Sequence, residues 1–387
     1  MLKLNDIETL LPDLIALRRD LHAHPELAFQ EERTAGIVAQ ALRDIGFEVT
    51  TGVGGTGVVG VLRRGHSDRA IGLRADMDAL PFQEETHLPY ASTHDGIFHG
   101  CGHDGHTAML LGAARHLAEH GGFSGTVNFI FQPAEEGRGG AREMIRDGLF
   151  ERFPCDRVFA LHNWPDLPAG SIRTRAGPIM ASADKFLITI SGRGGHAALP
   201  HQTPDVLLAA AELVQQLNTI VARRIPATEA AVLSVTRVAG GQTHNVLPAT
   251  CEIVGTVRTF APDVQDRIEA SLRTMAAGVA LSTETDVRVD YDRYYPATIN
   301  DADAARTALA AAARICNDVA EADAPAFTSE DFSFMLQERP GAYIWLGQKS
   351  VDHAAPLHNP HYDFNDDVMP LGVALLAALV QAELPET

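Results

Sequence analysis

Three short apolar runs in this chain each end in a different set of reactive side chains, and that repetition constrains the fold more than any other feature. Ile71-Gly72-Leu73-Arg74 leads into Asp76 and Asp78. Thr126-Val127-Asn128-Phe129-Ile130-Phe131 leads into Gln132-Pro133-Ala134-Glu135-Glu136-Gly137, and Arg157-Val158-Phe159-Ala160-Leu161 leads into His162-Asn163-Trp164. Short apolar runs bounded by turn residues read as buried strands. Helical patterns near 5–22, 32–45 and 107–119 alternate with them. That order predicts an α/β catalytic domain: a mainly parallel central sheet with helices on both faces. In such open sheets ligands bind beyond the carboxyl ends of the strands, where these side chains would stand.

The chemistry concentrates in His99-Gly100-Cys101-Gly102-His103-Asp104-Gly105-His106. Glycines let the backbone bend so that neighbouring side chains converge, and thiol with imidazole is a donor set for zinc, manganese, cobalt or nickel. Grouped so closely, these side chains call for a partner. Glu135 and Glu136 point different ways, so one can bind a metal while the other faces a bound water. Asp76 and Asp78 read either as acids that orient a metal-bound imidazole or as turn-formers. His22 and His24 read as packing or capping residues at a helix end that Pro25 stops.

The 387 residues suffice for two domains, and 45% hydrophobic content supports a large core. A formal net charge of −19 excludes nucleic acid as a partner, since no basic stripe is left to neutralise phosphates. The four cysteines, at 101, 155, 251 and 316, are too sparse for a disulfide scaffold. The amino-terminal segment reads as an amphipathic helix, and the longest apolar run, 373–380, is short of a membrane span. These features point to a soluble cytoplasmic protein with no membrane partner.

Beyond residue 182 the pattern changes. A half-exposed strand near 185–191, a helix near 204–222, strands near 230–238 and 250–259, a helix near 264–280 and a strand near 286–291 form the order β-α-β-β-α-β. That order is ferredoxin-like. We therefore expect a catalytic domain in two parts, 1–181 and 295–387, with an α+β lid or dimerisation domain inserted at 182–294. In the second part, an alanine-rich helix is expected over 302–319, and 328–332 reads as a helix start with acids in its first turn.

Several segments, in this order, resemble one known subfamily. They are His22-Ala23-His24-Pro25-Glu26-Leu27, Arg74-Ala75-Asp76-Met77-Asp78-Ala79-Leu80-Pro81, Cys101-Gly102-His103-Asp104-Gly105-His106, Gln132-Pro133-Ala134-Glu135-Glu136-Gly137, Gly192-Arg193-Gly194-Gly195-His196-Ala197-Ala198, Ser329-Glu330-Asp331-Phe332 and Leu357-His358. Together they are similar to the amidohydrolases that include hippurate hydrolase and the indole-acetyl-amino-acid hydrolases, within the aminoacylase and glutamate-carboxypeptidase clan. The resemblance covers nearly the whole chain. It implies two divalent metal ions per subunit held by Cys101, His103, Glu136, His162 and His358, with Glu135 as general base. Asp76 stands where the wider clan has a histidine, and Cys101 where it has a bridging aspartate. His196 would polarise the scissile carbonyl, often in a neighbouring subunit. Asn245 and Arg258 would bind the substrate carboxylate, and a homo-oligomer, dimer or tetramer, is expected.

The activity so implied is metal-dependent hydrolysis of N-acyl amino acids. Its rivals are a dipeptidase or carboxypeptidase using the same site, a non-catalytic metal- or ligand-binding relative, and a thiol enzyme using Cys101. Competing readings also exist for single residues. Arg258 could close an internal ion pair, His196 could be an exposed loop histidine, and Asn245 could be a turn residue.

Overall fold

The structure, a computed structural model, describes residues 4–386. The chain forms two compact units, one of Met1–Ile179, Ile299–Ala324 and Asp331–Thr387, the other of Met180–Thr298 and Pro325–Glu330.

The larger unit is built on an eight-stranded sheet. Its order is Glu48–Val53, Gly57–Arg64, Gly125–Gln132, Ala70–Asp76, Arg157–Pro168, Gly341–Lys349, Ile172–Thr174 and Val319–Glu321. Its centre is parallel, and Glu48–Val53 and Gly57–Arg64 add an antiparallel hairpin at one edge. Successive strand residues face opposite sides. Ile71, Leu73, Ala75, Phe129, Phe131, Phe159, Leu161, Ile344 and Leu346 therefore enter one apolar core, with helices Leu11–Ala23, His103–His120 and Met369–Glu383. Arg74, Asp76, Gln132, His162, Tyr343 and Trp345 occupy the alternate positions and share the other face. Helix Phe332–Glu338 packs on that face, with Phe332 6.2 Å from the Tyr343 ring. A helix as apolar all round as Met369–Glu383 has to be buried, and it is.

The smaller unit contains a four-stranded antiparallel sheet of order Ala231–Gly240, Thr250–Thr259, Ala183–Ser191, Asp286–Tyr295. Numbered along the chain these are strands 2-3-1-4, the ferredoxin-like arrangement. Helices Val206–Leu217 and Pro262–Thr283 share a core with Phe186, Ile188, Ile190, Ile253 and Val257 from one face of the sheet.

Several local expectations are corrected. The helix near 5–22 is two helices, Leu4–Glu8 and Leu11–Ala23, with Pro12 in the first turn of the second, where its missing N–H costs nothing. The helix near 204–222 likewise divides, at Asn218, after a start capped by the Asp205 carboxylate on the Leu207 and Leu208 amides. The helix of 302–319 stops at Ala312, and Val319 instead opens strand Val319–Glu321, which pairs with Ile172–Thr174. The strand expected to end at Leu161 continues to Pro168 along Gly341–Lys349, which places His162 inside a strand. The half-exposed edge strand Glu48–Val53 lacks a continuous apolar run and was not anticipated.

Candidate metal centre

The stretch 99–106 is not a single loop. Helix His103–His120 begins within it, and Gly102, at φ 89°, makes the turn. A Cβ on Gly102 would lie 2.4 Å from Asn163 Oδ1, so only glycine lets the chain pass there. Cys101 is thereby set before the helix and His103 in its first turn. His103 donates its Nδ1–H to the Asp78 carbonyl at 2.8 Å, and its buried Nε2 has no hydrogen-bond partner. His162 donates its Nδ1–H to the Asn163 carbonyl at 2.7 Å, and its Nε2 lies 3.5 Å from Cys101 Sγ. A histidine whose second nitrogen is engaged by a carbonyl presents Nε2 as a ready metal ligand. The His358 backbone N–H donates to the Gly100 carbonyl at 2.8 Å, and His358 Nε2 sits 3.2 Å from Glu136 Oε1, itself buried without a hydrogen bond.

The donor atoms of Cys101, Glu136 and His358 lie within 4.8 Å of one another, as do those of His103, Glu135 and Glu136. The structure thus gathers all five anticipated ligands and Glu135 in one place. Burial and the Glu136 and Glu135 carboxylates hold the Cys101 thiol well above its usual range. Burial alone would lower His103, but the Asp76 and Asp78 carboxylates outweigh it and raise it to about 10. Burial and the neighbouring His106 hold His162 well below the ordinary histidine range. This crowd of acids around an uncharged thiol and an orphaned imidazole nitrogen fits a divalent cation, which would turn the thiol into a thiolate ligand.

The turn carrying the two glutamates is held from outside its own backbone. The Asp78 carboxylate accepts the Glu135 N–H at 3.0 Å and the Glu136 N–H at 2.9 Å. Asp78 therefore orients both the imidazole of His103 and the glutamate pair. Asp76 accepts from His106 Nδ1 at 2.6 Å and from Arg74 Nη1 at 2.7 Å.

Residues 72–382 match the family model of peptidase family M20/M25/M40. This chain belongs to that family. It is 38% identical to a hippurate hydrolase of Campylobacter jejuni, over 96% of this chain and 98% of the relative. It is 37% identical to an N-acetylcysteine deacetylase of Bacillus subtilis, over 95% of each chain. A solved dinuclear metal-binding M20 peptidase from Bacillus subtilis superposes with a TM-score of 0.85 at 34% identity, covering 96% of this chain and 98% of that one. The chain is accordingly an enzyme, a metal-dependent amidohydrolase of the M20 family.

Some residues of this M20 centre were not anticipated. His106 lies among Asp76, His103 and His162, yet Asp76 engages its Nδ1 and Asn163 engages its Nε2, with Oδ1 at 2.7 Å and the backbone nitrogen at 3.0 Å, which leaves neither ring nitrogen open to a metal. Asp331, expected as a helix-start acid, makes no cap bond to its own helix. Its carboxylate instead accepts from Arg74 at 3.1 Å, Gln132 at 2.7 Å and the Ala141 N–H at 2.9 Å. Arg74 was the available signal: an arginine in an apolar strand requires buried anions. His22, expected to pack or cap, is fully buried and bonded between Asp104 and Glu84.

In the smaller unit His196 and Asn245 are neighbours. His196 pairs with Val246, and the Ala197 N–H donates to the Asn245 carbonyl at 3.1 Å. Both side chains are exposed. Arg258 stands eight residues along strand Thr250–Thr259 from the end beside them, about 26 Å at strand rise. It makes no ion pair among the described residues, and its guanidinium bonds only Thr256 Oγ1 and the Val257 carbonyl. Burial lowers its pKa, with Asp184 opposing.

Proposed function

We propose that this enzyme hydrolyses the amide bond of N-acyl amino acids, releasing a carboxylic acid and a free amino acid, with Cys101, His103, Glu136, His162 and His358 holding two divalent metal ions. The observation that carries this reading is the convergence of two carbonyl-fixed imidazoles, the thiol and Glu136 around one point, with Glu135 beside them and buried. Thiol and imidazole donors suit zinc, and the carboxylates also accept manganese, cobalt or nickel. Bound metal supplies Lewis acidity, lowering the pKa of water from 15.7 towards about 7.

The side chains then divide the work. Glu135 takes a proton from the attacking water and returns it to the leaving amine nitrogen. His196 donates to the carbonyl oxygen as charge develops there, a contribution of about 3 kcal/mol for one good donor. Arg258 and Asn245 hold the free carboxylate of the amino acid, and an arginine that bonds a hydroxyl and a carbonyl but makes no ion pair among the described residues supports that role. The separation of Arg258 from His196 and Asn245 supports a homo-oligomer in which different copies supply them. All four cysteines are free, and no described helix is long and apolar enough to cross a membrane.

The test is turnover of benzoyl-glycine, acetyl and indole-acetyl amino acids and plain dipeptides by wild type and Glu135→Gln. Metal-dependent release of the amino acid from N-acyl substrates, lost in the variant, is expected. Turnover of dipeptides alone would assign a peptidase.

A further inference from the structure

We propose that Glu31 is a positioning residue for catalysis: its carboxylate fixes the left-handed turn at Ala134 from which Glu135 and Glu136 are aimed. The inference rests on the roles proposed above for those two glutamates. Glu31 lies just before helix Glu32–Asp44, about a hundred residues upstream of the turn, and is completely buried. One of its oxygens accepts the Ala134 N–H at 2.8 Å, and the other accepts the Thr56 hydroxyl at 2.5 Å.

Ala134 needs such a hold. It stands at φ 56°, ψ 40°, a region that residues with a Cβ avoid. The chain beyond it stays irregular, with Glu136 at ψ 78° and Gly137 at φ 81°. The Ala134 carbonyl accepts the Gly140 N–H at 3.0 Å, and helix Gly140–Arg146 starts so close that a Cβ on Gly140 would lie 1.7 Å from the Pro133 carbonyl oxygen. Three successive amides, those of Ala134, Glu135 and Glu136, point at two buried carboxylates, Glu31 and Asp78.

Two acids packed this closely oppose each other. Burial, followed by the Asp78 charge, pushes Glu31 up to about 7, against the Thr56 and backbone hydrogen bonds. A site that keeps both acids despite that opposition gains a turn held from two sides. Asp78 fixes the amides of the glutamates themselves, and Glu31 fixes the residue that sets their direction. Thr56, in the turn ahead of strand Gly57–Arg64, restrains Glu31 in turn.

The test compares Glu31→Ala, Glu31→Gln and Thr56→Val as full-length metal-loaded enzymes on the best N-acyl amino acid substrate. Glu31→Ala leaves the Ala134 N–H unpaired, and kcat is expected to fall about 10- to 100-fold with KM within about threefold. The acid limb of its kcat–pH profile is also expected to move, because Glu135 sits in a changed field, an effect that a smaller folded fraction cannot produce. Glu31→Gln retains an oxygen for the Ala134 N–H and an amide to meet Thr56, and is expected to restore kcat to within about threefold of wild type. An unchanged kcat and pH profile in folded Glu31→Ala, or a glutamine variant as impaired as the alanine one, overturns the inference. If Glu31→Ala does not fold, Thr56→Val decides: a fall in kcat of about fivefold supports the inference, and no change overturns it. Failure of this inference alone leaves the wild type active. A wild type inactive on every substrate removes the proposed function and this inference with it.

Discussion

Raising the pH from about 6 to about 9.5 should destabilise the larger unit through one buried histidine. His22 is fully buried, with Nδ1 2.8 Å from Asp104 Oδ2 and Nε2 3.4 Å from Glu84 Oε1. Burial disfavours the charged ring, but the Asp104 carboxylate, its hydrogen bond and that of Glu84 outweigh it, and the nearby Arg18 only partly opposes them. The folded-state value rises from 6.5 to about 9. The folded state therefore binds this proton more tightly than the unfolded chain. The stabilisation is complete below the unfolded value near 6.5 and is lost as pH climbs through 9. At 1.36 kcal/mol per tenfold change in proton affinity, that is about 3 kcal/mol. Both tryptophans, Trp164 and Trp345, belong to the larger unit, so guanidinium unfolding followed by tryptophan fluorescence reports on it specifically. The loss of unfolding free energy across this pH range should be about 3 kcal/mol greater in wild type than in His22→Gln. Parallel pH dependences in the two proteins would refute the argument, because every other titrating group is common to both.

Asp78→Asn places an amide donor against one of the two backbone N–H groups that the carboxylate accepts. The lost charge-assisted bond costs about 1.5–3 kcal/mol, so kcat/KM should fall about 10- to 150-fold in folded protein, measured on the best N-acyl substrate. Gly102→Ala forces a Cβ to within 2.5 Å of both Asn163 Oδ1 and Tyr362 Oη at a positive φ. Its displacement of Cys101 and His103 should weaken metal binding about tenfold or more, read by competition with a chromogenic chelator.

The residues legible in the sequence are those whose neighbours in the chain announce them. Cys101 and His103 stand among glycines, the glutamate pair follows an apolar strand, and His162 interrupts another. Alternation gives each strand its own two faces, but that Arg74, Asp76, Gln132 and His162 share one of them is set by the register between strands. What could not be read depends on contacts between distant segments. His106 looks like a ligand until Asp76 and Asn163 are seen to occupy both its nitrogens. Asp331 looks like a helix cap until Arg74 and Gln132 take its carboxylate. Glu31, in a helical stretch rich in acids, gives no local sign that Ala134 is its partner. The edge strand Glu48–Val53 is recognisable only from its pairing with Gly57–Arg64.

The central claim is that the five gathered side chains hold metal and that hydrolysis depends on it. Its most direct test is to strip the protein with a chelator, return zinc or manganese in steps, and measure bound metal and N-acyl amino acid hydrolysis on the same samples. The account predicts no turnover in the stripped protein and activity that rises with metal to a plateau at two equivalents per chain. Undiminished turnover by metal-free protein would contradict it.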